Sequence, residues 1–583
     1  MNNRHPFLLL VLLTLPLFVQ GVFDHPLWLN DEGHVAEIGR EMYLSGDVVV
    51  PRLDGEPFLE KPPLYFMVMS LSYRCFGITP GAARLPSAIF GFLTVLVVYA
   101  IGAAQGCRRL GLLAAFLLAT TSMIFRFSHW CVVDSAVCFF TTLAYYTFLR
   151  AYHATTRKLG WYLAFYVAFA LAFMSKGLIA PVMIGVAICA LLLWENNVRE
   201  LRYMGLWAGL PLVVLIIGPW LYLLWDVGGT DLFRNFLIDN NLGRFSATIS
   251  QRYPEHTRSF FYYFGDFQGN FLPWTPLLFP ALFWGFWQTR TPSTPTRTLY
   301  RFLLAGFFMN LLLFSFSTTK RGVYILPLYP LVTVCVGGWL AELLDGRKPM
   351  KGERFFLWLQ VGLLALTPLL ILVGLWIYAP KPHSLILILL GLVFLGFIIF
   401  TRWAYRAHRI WLAIITLGVQ TVLTYSVVVW LVFPVISPHK HFVDYFEQLA
   451  KQLQPGDFIA TFRGIHEANL GQACITLNRR IPDIKDPRRI ATILNQQSRR
   501  VFVLVEGWHY DELKPLLPTH LAVFCSQSME DPLSHSKKWV LRCFTNVSGD
   551  RRPALFQDVE ISPSTISALL KKATNPIALP GAP

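Results

Sequence analysis

Acidic and basic side chains gather at the edges of apolar runs, where charge is costly to hold near hydrocarbon and usually has a task. In "WLNDEGHVAEIGREM" (28–42) the adjacent acids Asp31 and Glu32 follow the first apolar run. In "FLEKPPLYF" (58–66) Glu60 and Lys61 stand before two prolines, which fix the backbone and exclude a helix there. Asp134 lies in "HWCVVDSAVCFF", and "STTKRGVYILPLYP" (317–330) sets Lys320, Arg321 and Tyr324 at another edge. Carboxylates can accept a proton or stabilise developing positive charge, and cations can hold a departing phosphate. Each stretch also has a plainer reading. Asn30, Asp31 and Glu32 suit a helix start, with Asn30 as the cap and the acids against the positive dipole end. Asp134 can cap its own helix, and Lys320 with Arg321 can touch lipid phosphate.

The elements that must position these groups follow from composition. Of 583 residues, 55% are hydrophobic and only 14% charged, against ~25% charged in soluble domains. Most of the chain therefore belongs in lipid. Runs near the ~20 apolar residues that a bilayer needs occur at 6–23, 84–105, 109–127, 132–150, 160–174, 177–194, 204–225, 273–288, 300–318, 322–344, 355–378, 383–402 and 409–433, about thirteen in all. The fifth and sixth are divided only by Ser175-Lys176-Gly177. The first run has a weakly basic start and no A-x-A-like site after it, so it reads as an uncleaved helix. With the N-terminus inside, the short inner loops carry most of the loop cations, among them Arg108, Arg109, Arg157, Lys158, Arg347 and Lys348. The opposite loops carry few: Arg126, Lys176, Lys320, Arg321 and Lys381. This bias puts the first set in the cytoplasm, and the net charge of +16 reads as membrane anchoring with no nucleic-acid signal.

That topology leaves loops 24–83 and 226–272, and everything after 434, on the outer side. Residues 31–45 read as an amphipathic helix, and 63–76 as a segment lying at the interface or re-entering the membrane. Residues 1–434 form the membrane domain, roofed by the two outer loops. Residues 435–547 alternate strands ("DFIATF", "VFVLVE") with helices (442–453, 487–497) and read as a small α/β domain. Residues 548–583, rich in Ser, Pro and Ala, read as a loosely ordered tail. Nine cysteines show no CxxC pairing, and a disulfide between Cys525 and Cys543 stays open.

The order "NDEGHVAEIGREM", "GDVVVPRLDGEPFLEKPPLYF", "ARLPSAIFG", "KRGVYILPLYP" resembles bacterial members of the protein O-mannosyltransferase superfamily. Within it, the chain is most similar to lipid A aminoarabinose transferases. The resemblance implies a polytopic α-helical C-type (GT-C) glycosyltransferase of the bacterial inner membrane, with amphipathic periplasmic helices and a periplasmic C-terminal α/β domain. It implies a polyprenyl-phosphate sugar donor, an acceptor that is lipid A or another envelope glycolipid, contact with membrane lipids, and a monomer. By this likeness Asp31 is the catalytic carboxylate, with Glu32 as helper, and Asp134 matches an acid of the next outer loop. Lys61 matches a phosphate-binding lysine, a task for which Arg244, Arg258 and the mouth residue Lys320 are further candidates, and Tyr324 matches a tyrosine lining the donor site. Glu60 and His256 match the ligands of a divalent metal, zinc. Before Arg244 this chain has "NNLG", where relatives often carry a histidine and charged residues. Two other readings stand beside this one: a protein O-mannosyltransferase, and a transporter or flippase of lipid-linked sugars. The second would favour midplane charges and an internal repeat, and no repeat of fixed period is present.

Overall fold

A computed structural model describes residues 5–28, 31–242, 257–292, 294–378, 384–407, 409–495, 500–517, 523–530 and 538–545. Asn30, Arg244, His256 and the tail 548–583 lie outside the described residues. The first half of the chain runs as α1 (His5–Val19), α2 (Glu32–Ser45), the two-residue strands β1 (Arg52–Leu53) and β2 (Glu56–Pro57), α3 (Leu64–Phe76), α4 (Pro80–Ala104), α5 (Arg108–Ala119), α6 (Ser122–Ser128), α7 (Asp134–His153), α8 (Lys158–Lys176), α9 (Ile179–Trp194) and α10 (Leu206–Arg234). Helices Tyr262–Asn270, Thr275–Gln288, Thr294–Phe316, Tyr329–Leu344, Lys351–Tyr378, Ser384–Arg406 and Ile410–Val427 follow.

All thirteen apolar runs contain helix, yet among the described residues eight helices are long and apolar enough to cross a membrane, or nine if the bent α5–α6 pair is one span. Helix α7 has 20 residues but is too polar to count, and three further helices fall short in length. Helix α1 has 15 residues, α9 has 16 and Thr275–Gln288 has 14, reaching about 21–24 Å at 1.5 Å per residue, short of the ~30 Å hydrocarbon core. Burial separates a central layer from a lipid-facing one. The apolar window of Gly322–Leu344 is 89% buried, whereas those of Lys351–Ile377 and Leu385–Arg406 are 22% and 11% buried. Helix α10 continues past the expected end of its span, with a break at Gly229, where φ is 61°.

Toward the C-terminus a mixed five-stranded sheet has the order β4-β3-β5-β7-β6. Here β3 is Phe458–Phe462, β4 Asp483–Ile484, β5 Val501–Glu506, β6 Val523–Glu530 and β7 Lys538–Thr545. Strands β4, β3 and β5 are parallel, and β7 is antiparallel to both its neighbours. Phe502 and Leu504 of β5 pack toward one core while Val501, Val503 and Val505 pack toward another. Burial on both faces explains why this strand is apolar throughout. The register sets Cys525 opposite Cys543, so the pairing left open by the sequence would join adjacent strands.

Two features fix α2. Val35, Ile38 and Met42 enter the main core, while the polar face is covered instead of meeting water as an amphipathic surface helix would. Helix Glu467–Leu477 of the C-terminal unit lies across it. A Cβ at Gly471 would collide with the carbonyl of Gly33. Arg40, clamped by Glu37 at 2.7 and 2.8 Å, donates to Asn478 Oδ1 at 3.0 Å. Gln472 Nε2 donates to the Leu27 carbonyl at 2.8 Å, and the Ile481 amide donates to Asp54 Oδ1 at 2.8 Å. The second feature is Glu32. Its carboxylate accepts from Arg84 Nε and Nη2 of α4 at 2.7 and 2.8 Å, from the Trp28 amide at 2.8 Å and from the Cys131 amide at 3.0 Å. Arg84 is fully buried, and its remaining donors reach the carbonyls of Val22, His25 and Pro26.

Removing one member of a buried pair strands the other charge in a dry interior. Glu32→Gln and Arg84→Met are therefore each expected to cost about 3–5 kcal/mol of stability, read as a lower unfolding midpoint of the detergent-solubilised protein. The joint Glu32→Met/Arg84→Met variant is expected to lose less than the two single variants summed, and unchanged midpoints in the single variants would refute the role of the pair.

Candidate active site

The residues with chemical potential converge where α2, α7 and α9 begin and α8 ends. Helix α2 starts at Glu32, with Asp31 in the capping position but making no side-chain cap bond. Its carboxylate turns away and pairs with Arg321. The chain then folds back through β1 and β2 and reaches Pro62-Pro63, which keep Glu60 and Lys61 out of helix, in a turn before α3 begins. Lys61 Nζ lies 3.1 Å from Glu60 Oε2. Asp134 opens α7, and Lys176 ends α8, where Gly177 at φ 77° turns the chain into α9. A cation in a last helical turn is favoured by the helix dipole, and Lys176 pairs with Asp134. Its ammonium also sits 4.5 Å from the centroid of the Tyr324 ring.

Glu60, Lys61, Asp134, Lys176 and Tyr324 line one cavity. Leu178, Ile179, Met183, Leu313 and Phe314 form its apolar side, and Ser317, Thr319 and Asn240 add polar groups. Its enclosed volume of about 90 Å³ is well below the ~300–1,000 Å³ of pockets that enclose drug-sized ligands. It suits one compact charged group, with the rest of any large substrate outside.

Electrostatics set the ionisation of the helix start. Burial works to raise the Asp31 pKa, but the charges of Arg321 and His34, the Arg321 hydrogen bond and the Lys61 charge outweigh it and hold the carboxyl below its usual range. Glu32 is likewise held down against burial by the Arg84 charge and hydrogen bonds. Burial lowers His34 to about 4, despite the nearby Asp31 and Glu60. Its ring packs 5.9 Å from that of Phe58.

Of the residues singled out in the sequence, Glu60, Lys61, Asp134 and Tyr324 line this cavity, while Asp31 stands outside its lining, paired with Arg321 and within the electrostatic reach of Lys61. Glu32 does not line the cavity, because four hydrogen bonds turn it inward to Arg84 and backbone amides. Lys320 also departs from its expected place at the mouth. It is 4% exposed, its ammonium donates to the carbonyls of Arg258 and Ser317, and burial lowers its pKa. Arg258 is exposed, and its guanidinium turns to the Thr257 carbonyl. Arg244 and His256 lie outside the described residues. For the expected zinc, no group of three or more His, Cys, Asp or Glu side chains able to hold a metal occurs among the described residues. Glu60 faces Lys61, a cation that competes for the same oxygen. Sequence reasoning missed Lys176, which looked like a boundary between two spans. A lysine at a break between two apolar helices was the available signal.

Residues 60–223 match the Dolichyl-phosphate-mannose-protein mannosyltransferase family. Two curated relatives bear the name undecaprenyl phosphate-alpha-4-amino-4-deoxy-L-arabinose arabinosyl transferase. That of Aeromonas hydrophila is 32% identical over 62% of this chain and 65% of its own length. That of Aeromonas salmonicida is 30% identical over 68% of this chain and 70% of its own length. Among solved structures, ArnT from Cupriavidus metallidurans bound to undecaprenyl phosphate superposes with a TM-score of 0.74 at 20% identity, covering 94% of this chain and 99% of that one. The archaeal oligosaccharyltransferase AglB from Archaeoglobus fulgidus gives 0.50 at 13% identity, over 87% and 69%. At these identities the structures speak for the fold.

The packing of Glu467–Leu477 on α2 makes a further expectation. Gly471→Val forces the two backbones apart, so amide hydrogen exchange across residues 32–45 is expected to accelerate while that of Tyr329–Leu344 stays slow. Equal exchange in wild type and variant would show that this contact does not hold the site helix.

Proposed function

The chain belongs to the family of undecaprenyl phosphate-alpha-4-amino-4-deoxy-L-arabinose arabinosyl transferases and is a membrane glycosyltransferase, and we propose that it transfers a sugar from undecaprenyl phosphate to lipid A or a related envelope glycolipid. The reaction takes place on the periplasmic face of the inner membrane, with the N-terminus cytoplasmic and a monomer as the working unit. The observation that carries this reading is the meeting of Lys61, Lys176, Asp134 and Tyr324, from four separate stretches, around a cavity sized for a charged group beside Asp31.

In this reading an acceptor oxygen attacks the anomeric carbon as the bond to the donor phosphate breaks, and the bonding pair leaves with the phosphate. Lys61 and Lys176 exchange their carboxylate partners for the departing phosphate, which gains negative charge in the transition state. Because those cations are fixed by the prolines and by the end of α8, little reorganisation is needed as charge develops. Asp31, kept ionised by Arg321, faces the electron-poor sugar carbon and receives the acceptor proton. Glu32 positions Asp31 through the helix start and does not react. A single displacement inverts the anomeric configuration.

Membranes supplied with the undecaprenyl-phosphate sugar test this directly. Asp31→Asn is expected to lower transfer by about 10²–10⁴-fold, and Lys61→Ala or Lys176→Ala by about 10²–10³-fold each, at unchanged expression. Full activity in Asp31→Asn and Lys176→Ala together would sink the assignment. Mass spectrometry of lipid A, glycans and envelope proteins from a deletion strain identifies the acceptor. A sugar lost from protein rather than lipid A would favour a protein mannosyltransferase instead.

The pH dependence has a defined sign. His34 is neutral above about 4 and Asp31 stays ionised, so the transfer rate is expected to show no limb at the ordinary His value of 6.5. Between 6.5 and about 4 the unfolded chain binds the extra proton at His34, so stability falls as the pH drops through that window. A rate profile that breaks near 6.5 in wild type but not in His34→Gln would overturn this.

A further inference from the structure

A second cleft lies at the opposite end of α7 from Asp134, about 30 Å away along a helix of 20 residues. It has a volume of about 910 Å³ and is walled by the ends of α4 and α7, the 154–157 turn, the start of α8 and Pro295. Its polar lining is rich in donors. Arg150 and Arg157 supply guanidinium groups, Thr155 and Thr156 hydroxyls, Gln105 an amide and His153 an imidazole, and no acidic residue lines it. The Arg150 guanidinium lies 4.9 Å from the centroid of the Trp161 ring, which holds its fork in place. Among the described residues neither Arg150 nor Arg157 has a carboxylate partner. Glu195 and Glu200, the acids whose charges reach the lining residue His153, are committed elsewhere: Glu195 pairs with Arg301 at 3.0 Å and Glu200 with Lys158 at 2.7 Å. The wall continues in apolar groups, Ile101, Leu149 and Ala164, with Tyr146 and Trp161 at the rim.

A cleft that joins free guanidinium forks and hydroxyls to an apolar wall at a membrane edge matches a phosphodiester carried on acyl chains. Guanidinium groups bind phosphate oxygens in pairs, aromatic side chains favour the headgroup level, and basic pockets between spans hold anionic headgroups. We propose that this cleft binds the phosphate of an anionic membrane phospholipid in the leaflet opposite the transfer site. The inference rests on the membrane placement of the helices and does not depend on the identity of the sugar or acceptor, so it can fail while the transferase reading stands, and the reverse.

The test uses the full-length protein in detergent, titrated with phosphatidylglycerol and followed by native mass spectrometry. Wild type is expected to retain a bound phosphatidylglycerol that Arg150→Ala/Arg157→Ala binds about tenfold more weakly. Arg157→Glu, an exposed position whose change does not threaten folding, is expected to weaken it comparably. Diacylglycerol, which has the chains but no phosphate, should not occupy the site, and millimolar inorganic phosphate should not displace the lipid. Equal phosphatidylglycerol retention in wild type and Arg157→Glu would overturn the proposal. Displacement by inorganic phosphate would overturn it as well, because the cleft would then be a site for a free anion.

Discussion

A guanidinium that never meets water organises the reactive end of this molecule. Arg84 is fully buried, and it gives its donors to Glu32 and to three carbonyls of the 22–26 segment. A lone charge in that position would be prohibitive, so Glu32 must be ionised and must stay where it is. The first turn of α2 is thereby nailed to α4, and through the Cys131 amide to the stretch before α7. Asp31, one residue earlier, inherits a fixed location and gives its carboxylate to Arg321 instead of to Arg84. Two adjacent acids thus divide the work, one closed into a network and the other left to pair with Arg321 beside the cavity.

The same economy governs the lysines. Lys61 is held by a Pro-Pro brake and Lys176 by the end of a helix, two unrelated ways of stopping a flexible side chain's backbone from moving. Each faces a carboxylate, so the charges balance in the absence of substrate and no bare cation is held against the apolar side of the cavity. In the proposed reaction, an arriving phosphate has only to outcompete Glu60 and Asp134, groups of the same sign with fewer oxygens to share. That makes the cavity a place of exchange between anions, and explains why its acids and bases come in matched pairs.

Much of this was legible in the sequence, for physical reasons that can be named. Charges beside hydrocarbon are few and expensive, so Asp31, Glu60, Lys61, Asp134 and Tyr324 stood out, and proline chemistry kept 58–63 out of a helix. What failed to show was direction. Glu32 and Asp31 are equivalent in a sequence, and only the position of Arg84, fifty-two residues on, turns one of them inward. Lys320 and Arg321 are equally ambiguous: one is swallowed by backbone carbonyls and the other reaches Asp31. Lys176 was hidden because a single polar residue between two apolar runs looks like punctuation. The polar face of α2 was misleading in a different way, because a stripe of His34, Glu37 and Glu41 carries no sign of whether water or another domain covers it.

That covered face ties the C-terminal unit to the helix that presents Asp31. Arg40, Glu41 and Asp54 are all met by groups from residues 478–481, and Gly471 lets the two backbones touch. Were the C-terminal unit a mere appendage, α2 could present its charged face to water and Gly471 would have no reason to lack a side chain. Instead Glu37 and Arg40 are buried, a state that is stable only with the partner helix in place. The helix that presents Asp31 is therefore complete only when three separate parts of the chain close on it: α4 through Arg84, the loop before Tyr329 through Arg321, and the C-terminal sheet domain through Glu467–Leu477. The first fixes its position, the second its charge and the third its orientation, so a change in any one of them is felt at the same carboxylate.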